Sequence, residues 1–239
     1  MSTTTFSNDR LVDVEHLSHR ENKELGITNA INITSNTTLG AQETSFLPVK
    51  SLYINTKGVP FLCLSLPPSE LEIAVHTSDK SVAYRSTRAK RSSGTCVLTD
   101  AEGTALIKTE YFFGPFKDPI LHCLGSKGLI HEIRTVSKWT SRNHKFPLPD
   151  GRMLEWRYEK EKGFGANETK GTALVLQLGD KRIAALIRND ETRTPGSKVS
   201  SAANGGELVL STDVGSKDGI DQDLVVATCF LMLKRRSID

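Results

Sequence analysis

Four cations fall within seven residues at Arg85, Arg88, Lys90 and Arg91, with no acid between them. Guanidinium forks match the oxygens of a phosphate, so this cluster is a candidate grip for a phosphorylated headgroup. The same charges would also suit a solvated hairpin tip, where they keep strand edges from pairing with other chains. A second group, Lys138, Arg142 and Lys145, surrounds Trp139. It suits a membrane interface if the ring is exposed, and is a set of solvated neighbours if the ring is core. The third is Lys234–Arg236, which fits either the negative end of a helix or an anionic leaflet. The densest polar loop is Asn189-Asp190-Glu191-Thr192-Arg193-Thr194-Pro195-Gly196. Asp190 or Glu191 would orient a ligand there while Arg188 or Arg193 pairs with an anion. The alternative is a wide turn whose polar side chains satisfy its own backbone.

Enzyme signatures are sparse. The chain has no Gly-x-Ser-x-Gly elbow, no phosphate-binding Gly-x-x-x-x-Gly-Lys loop and no His-Glu-x-x-His pair. Gly163-Phe-Gly165 lacks the third glycine and the following helix of a dinucleotide fingerprint. His16 and His19 are spaced for a shared metal on a helix, yet no third ligand is near. His122 and Cys123 are adjacent in a strand and so point to opposite faces, which argues against a thiolate–imidazole pair. The expectation is a binding protein without cofactor or metal. An enzyme with a site near Asp190–Arg193 is the alternative of lowest rank. Nucleic acid is not an expected partner, because only 6% of residues are aromatic and no strand face alternates cations with rings.

Composition sets the class. With 239 residues, 37% hydrophobic and 25% charged, the chain can bury a sizeable core. Its net charge of +3 is uneven: residues 1–45 carry three Lys/Arg against six Asp/Glu, a net of −3, which leaves +6 for residues 46–239. That mild excess suits an anionic ligand or membrane surface without resembling a polybasic binder. Cys63, Cys96, Cys123 and Cys229 sit in apolar contexts with no zinc-ligand spacing and read as buried free thiols. The N-terminus has no signal-peptide pattern, and no apolar run approaches the ~20 residues of a membrane span. A cytoplasmic protein is expected, peripheral at membranes if it meets them.

Residues 1–45 are rich in Ser, Thr and Asn. They read as a disordered or weakly helical tail, with an amphipathic stretch near Asp9–Leu25 and a role in holding a protein partner as the second functional reading. From Phe46 the pattern changes to short strands. Leu71, Ile73 and Val75 alternate with Glu72, Ala74 and His76, and Leu154, Trp156 and Tyr158 with Met153, Glu155 and Arg157. Turn residues punctuate the runs at Gly114-Pro115, Pro149-Asp150-Gly151, Gly179-Asp180 and Asn204-Gly205-Gly206. About twelve strands result, near 52–56, 59–65, 71–77, 81–87, 94–99, 104–113, 119–124, 129–138, 152–159, 172–178, 182–189 and 206–212.

The close of the chain differs from everything before it. Leu224 to Leu233 is an apolar run between Asp221 and Asp223 on one side and Lys234–Arg236 on the other. Those charges complement the two poles of a helix over about 221–236. A helix apolar on every side must be buried all round. The expected fold is therefore all-β: a closed barrel of about twelve strands, residues 46–239, around a central apolar helix.

This architecture resembles the tubby C-terminal-like superfamily, which includes tubby-like proteins, phospholipid scramblases and LURP-one-related plant proteins. The wording is similar to an uncharacterised fungal branch. It is carried by Tyr111-Phe-Phe-Gly-Pro115, Lys138-Trp-Thr-Ser-Arg142, Ile187-Arg-Asn-Asp-Glu-Thr-Arg-Thr-Pro-Gly-Ser197, Asn204-Gly-Gly-Glu207 and Leu224-Val-Val-Ala-Thr-Cys229. The resemblance implies a twelve-stranded barrel around a helix. It also implies phosphoinositide binding through basic residues, as in tubby-like members, although no such residue transfers by motif. Fold alone does not set activity.

Overall fold

Among the described residues short alternating runs fold as thirteen strands, and the final apolar run as one helix. The computed structural model describes residues 46–56, 72–89, 93–112, 117–125, 128–137, 143–162, 170–197 and 204–236. The strands are β1 (Pro48–Asn55), β2 (Glu72–His76), β3 (Val82–Thr87), β4 (Thr95–Asp100), β5 (Ala105–Glu110), β6 (Ile120–Gly125) and β7 (Gly128–Arg134). They continue as β8 (Val136–Ser137), β9 (His144–Pro147), β10 (Met153–Lys162), β11 (Lys170–Leu178), β12 (Lys181–Ile187) and β13 (Gly206–Ser211). The helix is α1 (Gln222–Arg236). The expected tail at 1–45 and the expected strand at 59–65 lie outside the described residues.

All strands join one antiparallel sheet in the order β7-β6-β5-β4-β3-β2-β1-β13-β12-β11-β10-β9-β8. Its two edges, β7 and β8, are separated in the chain by Thr135 alone. The sheet must therefore curl until its edges meet, forming a nearly closed barrel. β7 and β8 are in effect one strand bent at Thr135. It pairs with β6 up to Arg134, opposite Ile120, and with β9 from Val136, opposite Lys145. The Thr135 amide and hydroxyl both donate to the Pro119 carbonyl, at 3.1 and 3.0 Å, and fix the bend. Counted that way the wall has twelve strands. The expected strand at 129–138 is this bent pair. β9 was not expected from the sequence. It is only four residues long and ends in Pro147, but it aims His144 and Phe146 inward.

Alternation decides what each strand buries. Leu52 and Ile54 face the interior while Tyr53 between them is exposed; Leu154 and Trp156 face in and Met153 out. Strands β11–β13 bury both faces. Leu174, Leu176, Ile183 (β12), Leu208 and Leu210 belong to the main core. Ala173, Val175, Ala185, Ile187 and Val209 form a second cluster on the other face, with Phe46 against it and the Arg182 guanidinium 6.0 Å from the Phe46 ring.

The helix fills the barrel. From Leu224 to Leu233 every residue is buried, none above 7% exposed, so no face of that stretch meets water. Each such Leu or Val side chain contributes about 1.5–3 kcal/mol relative to leaving it exposed. At its start the Asp223 carboxylate and the Gln222 amide both meet the Tyr84 hydroxyl, at 2.8 and 2.5 Å. Lys50 donates to Gln222 Oε1 at 2.6 Å. The Arg152 guanidinium donates to the Asp218 and Gly219 carbonyls, both at 3.1 Å, just before the helix. No helix of the described residues is long and apolar enough to cross a membrane.

Candidate functional site

When consecutive strands pair antiparallel, their connections alternate between the two ends of the barrel. Tyr84 in β3 and Arg152 before β10 fix the start of α1 at one of those ends. This first end carries the connections Thr77–Ser81, Ala101–Thr104, Pro149–Arg152, Gly179–Asp180 and Thr212–Asp221. They hold Asp79, Glu102, Asp150, Asp180, Asp218 and Asp221, with Lys80, Arg152 and Lys217 among them. The fifteen residues of α1 then span about 22 Å to the opposite end.

That second end receives the connections after β3, β5, β8 and β12, together with the C-terminus of α1. Several cations of the described residues belong to it. Arg88 follows β3, and Lys117 precedes β6. Arg188 and Arg193 follow β12, and the helix closes on Lys234, Arg235 and Arg236. Lys90, Arg91, Lys138, Arg142 and Trp139 lie outside the described residues. Acids at this end include Asp118, Asp190 and Glu191. The negative pole of the α1 macrodipole points the same way and suits the cations that terminate it.

The individual cations differ in what holds them. Arg85 lies on the barrel wall rather than at its end, and its Nε is 3.3 Å from Glu72 Oε1 across the β2–β3 pairing. The acid-free run seen in the sequence is thus answered by a neighbouring strand. Arg88 is half-buried beside Tyr111. Burial raises the Tyr111 hydroxyl well above its ordinary range, and the Arg88 charge works against that rise. Arg188 flanks the start of β13, where a Cβ on Gly206 would sit 2.7 Å from its Cγ.

Arg193 pairs with Asp190 at 2.9 Å within its own loop. Asn189 Oδ1 accepts from the amides of Glu191 and Thr192, at 3.0 and 2.9 Å. Thr194 Oγ1 donates to the Ile54 carbonyl and accepts from the Thr56 amide, both at 3.1 Å. The side chain of Asn189, rather than Asp190, organises this turn. The loop is tied to β1 and spends most of its polar groups on backbone.

No protein-family model, curated protein or solved structure matches this chain.

Other groups with chemical potential are arranged structurally. His122 faces outward between Glu110 and Glu132, at 3.5 and 3.2 Å. Cys123 lies on the other side of the strand, where burial, reinforced by Asp221 and Asp223, pushes its thiol up to about 11. Cys229 is fully buried in α1 and pushed up to about 12. Among the described residues Cys96, Cys123 and Cys229 are free thiols, and no cluster of His, Cys, Asp and Glu has metal-binding form. Cys63 lies outside them.

Sequence reasoning missed one place. A cavity of about 570 Å³ opens at the bend of the wall, lined by Phe112, Lys117, Asp118, Ile120, Arg134 and Thr135. Ile120 and Arg134 are cross-strand partners. Nothing in the local spacing of Lys117 and Arg134 signals a shared site; only the β6–β7 register and the bend bring them to one opening.

Proposed function

We propose that this chain is a non-enzymatic binding module whose barrel docks end-on against an anionic membrane surface, with phosphoinositide-bearing membranes as the leading class. One observation carries the reading: the strand alternation gathers the connections bearing Arg88, Lys117, Arg188 and Arg193 at the end where α1 terminates in Lys234–Arg236. The opposite end carries Asp79, Glu102, Asp150 and Asp218 against Lys80, Arg152 and Lys217, so the described residues are polarised along the barrel axis. Such a polarity orients a protein before contact and raises its encounter rate with an anionic surface. Each Lys or Arg brought close to such a leaflet contributes about 1 kcal/mol. The twelve-stranded wall around an enclosed helix supports the resemblance to the tubby C-terminal-like superfamily and, with it, a cytoplasmic protein peripheral at membranes.

The test is co-sedimentation of the purified chain with neutral, phosphatidylserine and phosphoinositide vesicles at two salt concentrations. Binding should require anionic lipid, rise with phosphoinositide and weaken in high salt. Reversing Arg88, Lys90 and Arg91 to Glu should abolish it. Binding that is indifferent to salt, or untouched by the reversal, would sink the end-on reading.

A further inference from the structure

We infer that the cavity at the Thr135 bend is a binding site for an amphipathic organic anion, with a phosphate or carboxylate head and a short apolar portion. The site follows from how the wall closes. A strand that leaves β6 for β9 opens a gap beside the residues leading into β6, and the cavity of about 570 Å³ lies there. That volume is within the ~300–1,000 Å³ of ordinary small-molecule sites. The opening is pre-formed, because the Thr135 amide and hydroxyl both hold the Pro119 carbonyl and the Ser137 hydroxyl donates to Asp118 at 2.5 Å.

The lining sorts into two chemistries. Lys117 and Arg134 provide the positive charge. Lys117 is exposed, and among the described residues no carboxylate pairs with it. The Arg134 side chain is 76% exposed and lies 3.8 Å from Glu132, an ion pair too long and too wet to hold it. Among the described lining residues one carboxylate stands against these two cations, Asp118, which is already engaged by Ser137. Phe112, 43% exposed, and Ile120 provide apolar wall. A bare inorganic anion would use only the cations and leave that wall wet. The exposed ring therefore favours a ligand with a carbon skeleton beside its charge. A free small molecule and the head of a lipid share this chemistry, and the site does not depend on the membrane reading above.

Binding of phenyl phosphate and of inorganic phosphate to the full chain, measured by titration calorimetry, tests the assignment. Phenyl phosphate should bind at least tenfold tighter than inorganic phosphate. The double variant Lys117→Ala, Arg134→Ala should lose at least tenfold for both probes while melting as the wild type does. Phe112→Ala should erase the preference for phenyl phosphate and leave inorganic phosphate unchanged. A folded double variant that binds phenyl phosphate undiminished overturns the proposal, as does equal affinity for the two probes. Sedimentation with phosphatidic acid vesicles in a phosphatidylcholine background separates the sources. Loss of that binding in the double variant, with binding to phosphatidylserine vesicles kept, assigns a lipid head, and soluble binding without vesicle binding assigns a free molecule. A wild-type chain that binds phenyl phosphate but no anionic vesicle would end the membrane reading and leave this site standing.

Discussion

The indole Nε1 of Trp156 in β10 donates to Thr228 Oγ1 in α1 at 2.9 Å, and both side chains are wholly excluded from solvent. Thr228 Oγ1 in turn donates to the Val225 carbonyl at 3.0 Å, so the hydroxyl is used twice. This is a polar tie between wall and helix inside an apolar interior. It sets the rotation and depth of α1, which apolar contacts alone leave weakly specified. Thr228→Val should leave the indole N–H unpaired and cost about 1–3 kcal/mol, read from urea unfolding. Adding Trp156→Phe removes the orphaned donor, so in a double-mutant cycle the second loss should be smaller than Trp156→Phe costs alone. Strict additivity would show that the bond carries no coupling.

Gly205 marks a second constraint. A Cβ there would stand 1.9 Å from the Ile54 carbonyl oxygen, and the Gly205 amide donates to the Thr56 carbonyl at 2.7 Å. Overpacking usually costs ~1–3 kcal/mol. Here the obstacle is backbone, so Gly205→Ala should reach or exceed the upper end of that range in denaturant titration. Gly179 is the control. Its φ is 60° with open space around it, and Gly179→Asn should change stability by less than ~1 kcal/mol. Equal losses at the two sites would refute the close-approach explanation.

Burial of Cys229 makes a prediction about alkali. Its thiol ionises near 9 when unfolded and is pushed up to about 12 in the barrel. Between those values the unfolded chain has given up the proton and the folded one has not. The contribution is therefore intact below pH 9 and is lost as pH rises toward 12. Melting temperature should fall over this interval, and Cys229→Ala should fall less steeply. The native thiol should also resist alkylation at pH 8 and react only on unfolding. Prompt labelling of the folded protein would contradict a sealed interior.

These features differ in how far the sequence exposes them. The helix was legible because an almost uninterrupted apolar run of ten residues, flanked by opposite charges, admits few other structures. Most strands were legible because one face is buried, as at Leu52 and Ile54 with Tyr53 between them. β9 was not, since His144-Lys-Phe-Pro147 is too short to show a period and reveals its inward side only against Trp156. The cations were legible one by one. The gathering of Arg88, Arg188 and Arg193 at one end depends on the order of pairing, which local spacing does not contain. The partner of Arg85 was hidden for the same reason, because Glu72 arrives on another strand. The cavity was least accessible, since Lys117 and Arg134 share it only through the bend at Thr135.

Ala227 gives the most demanding test of the architecture. It lies near the middle of α1, 3% exposed, between Val226 and Thr228. The barrel's inner apolar cluster surrounds the helix, whose residues from Leu224 to Leu233 are all buried. An aspartate at this position would place an unpaired charge where water cannot follow, at a cost of several kcal/mol. That is comparable with the whole stability of an ordinary domain. Ala227→Asp should therefore fail to fold, or fold only at low pH where the carboxyl is neutral. Ala227→Gly changes helix propensity alone and should cost about 1 kcal/mol. Circular dichroism melts of the pair separate the two effects. An aspartate variant that melts within a few degrees of wild type at neutral pH would mean that α1 is not enclosed by the strands.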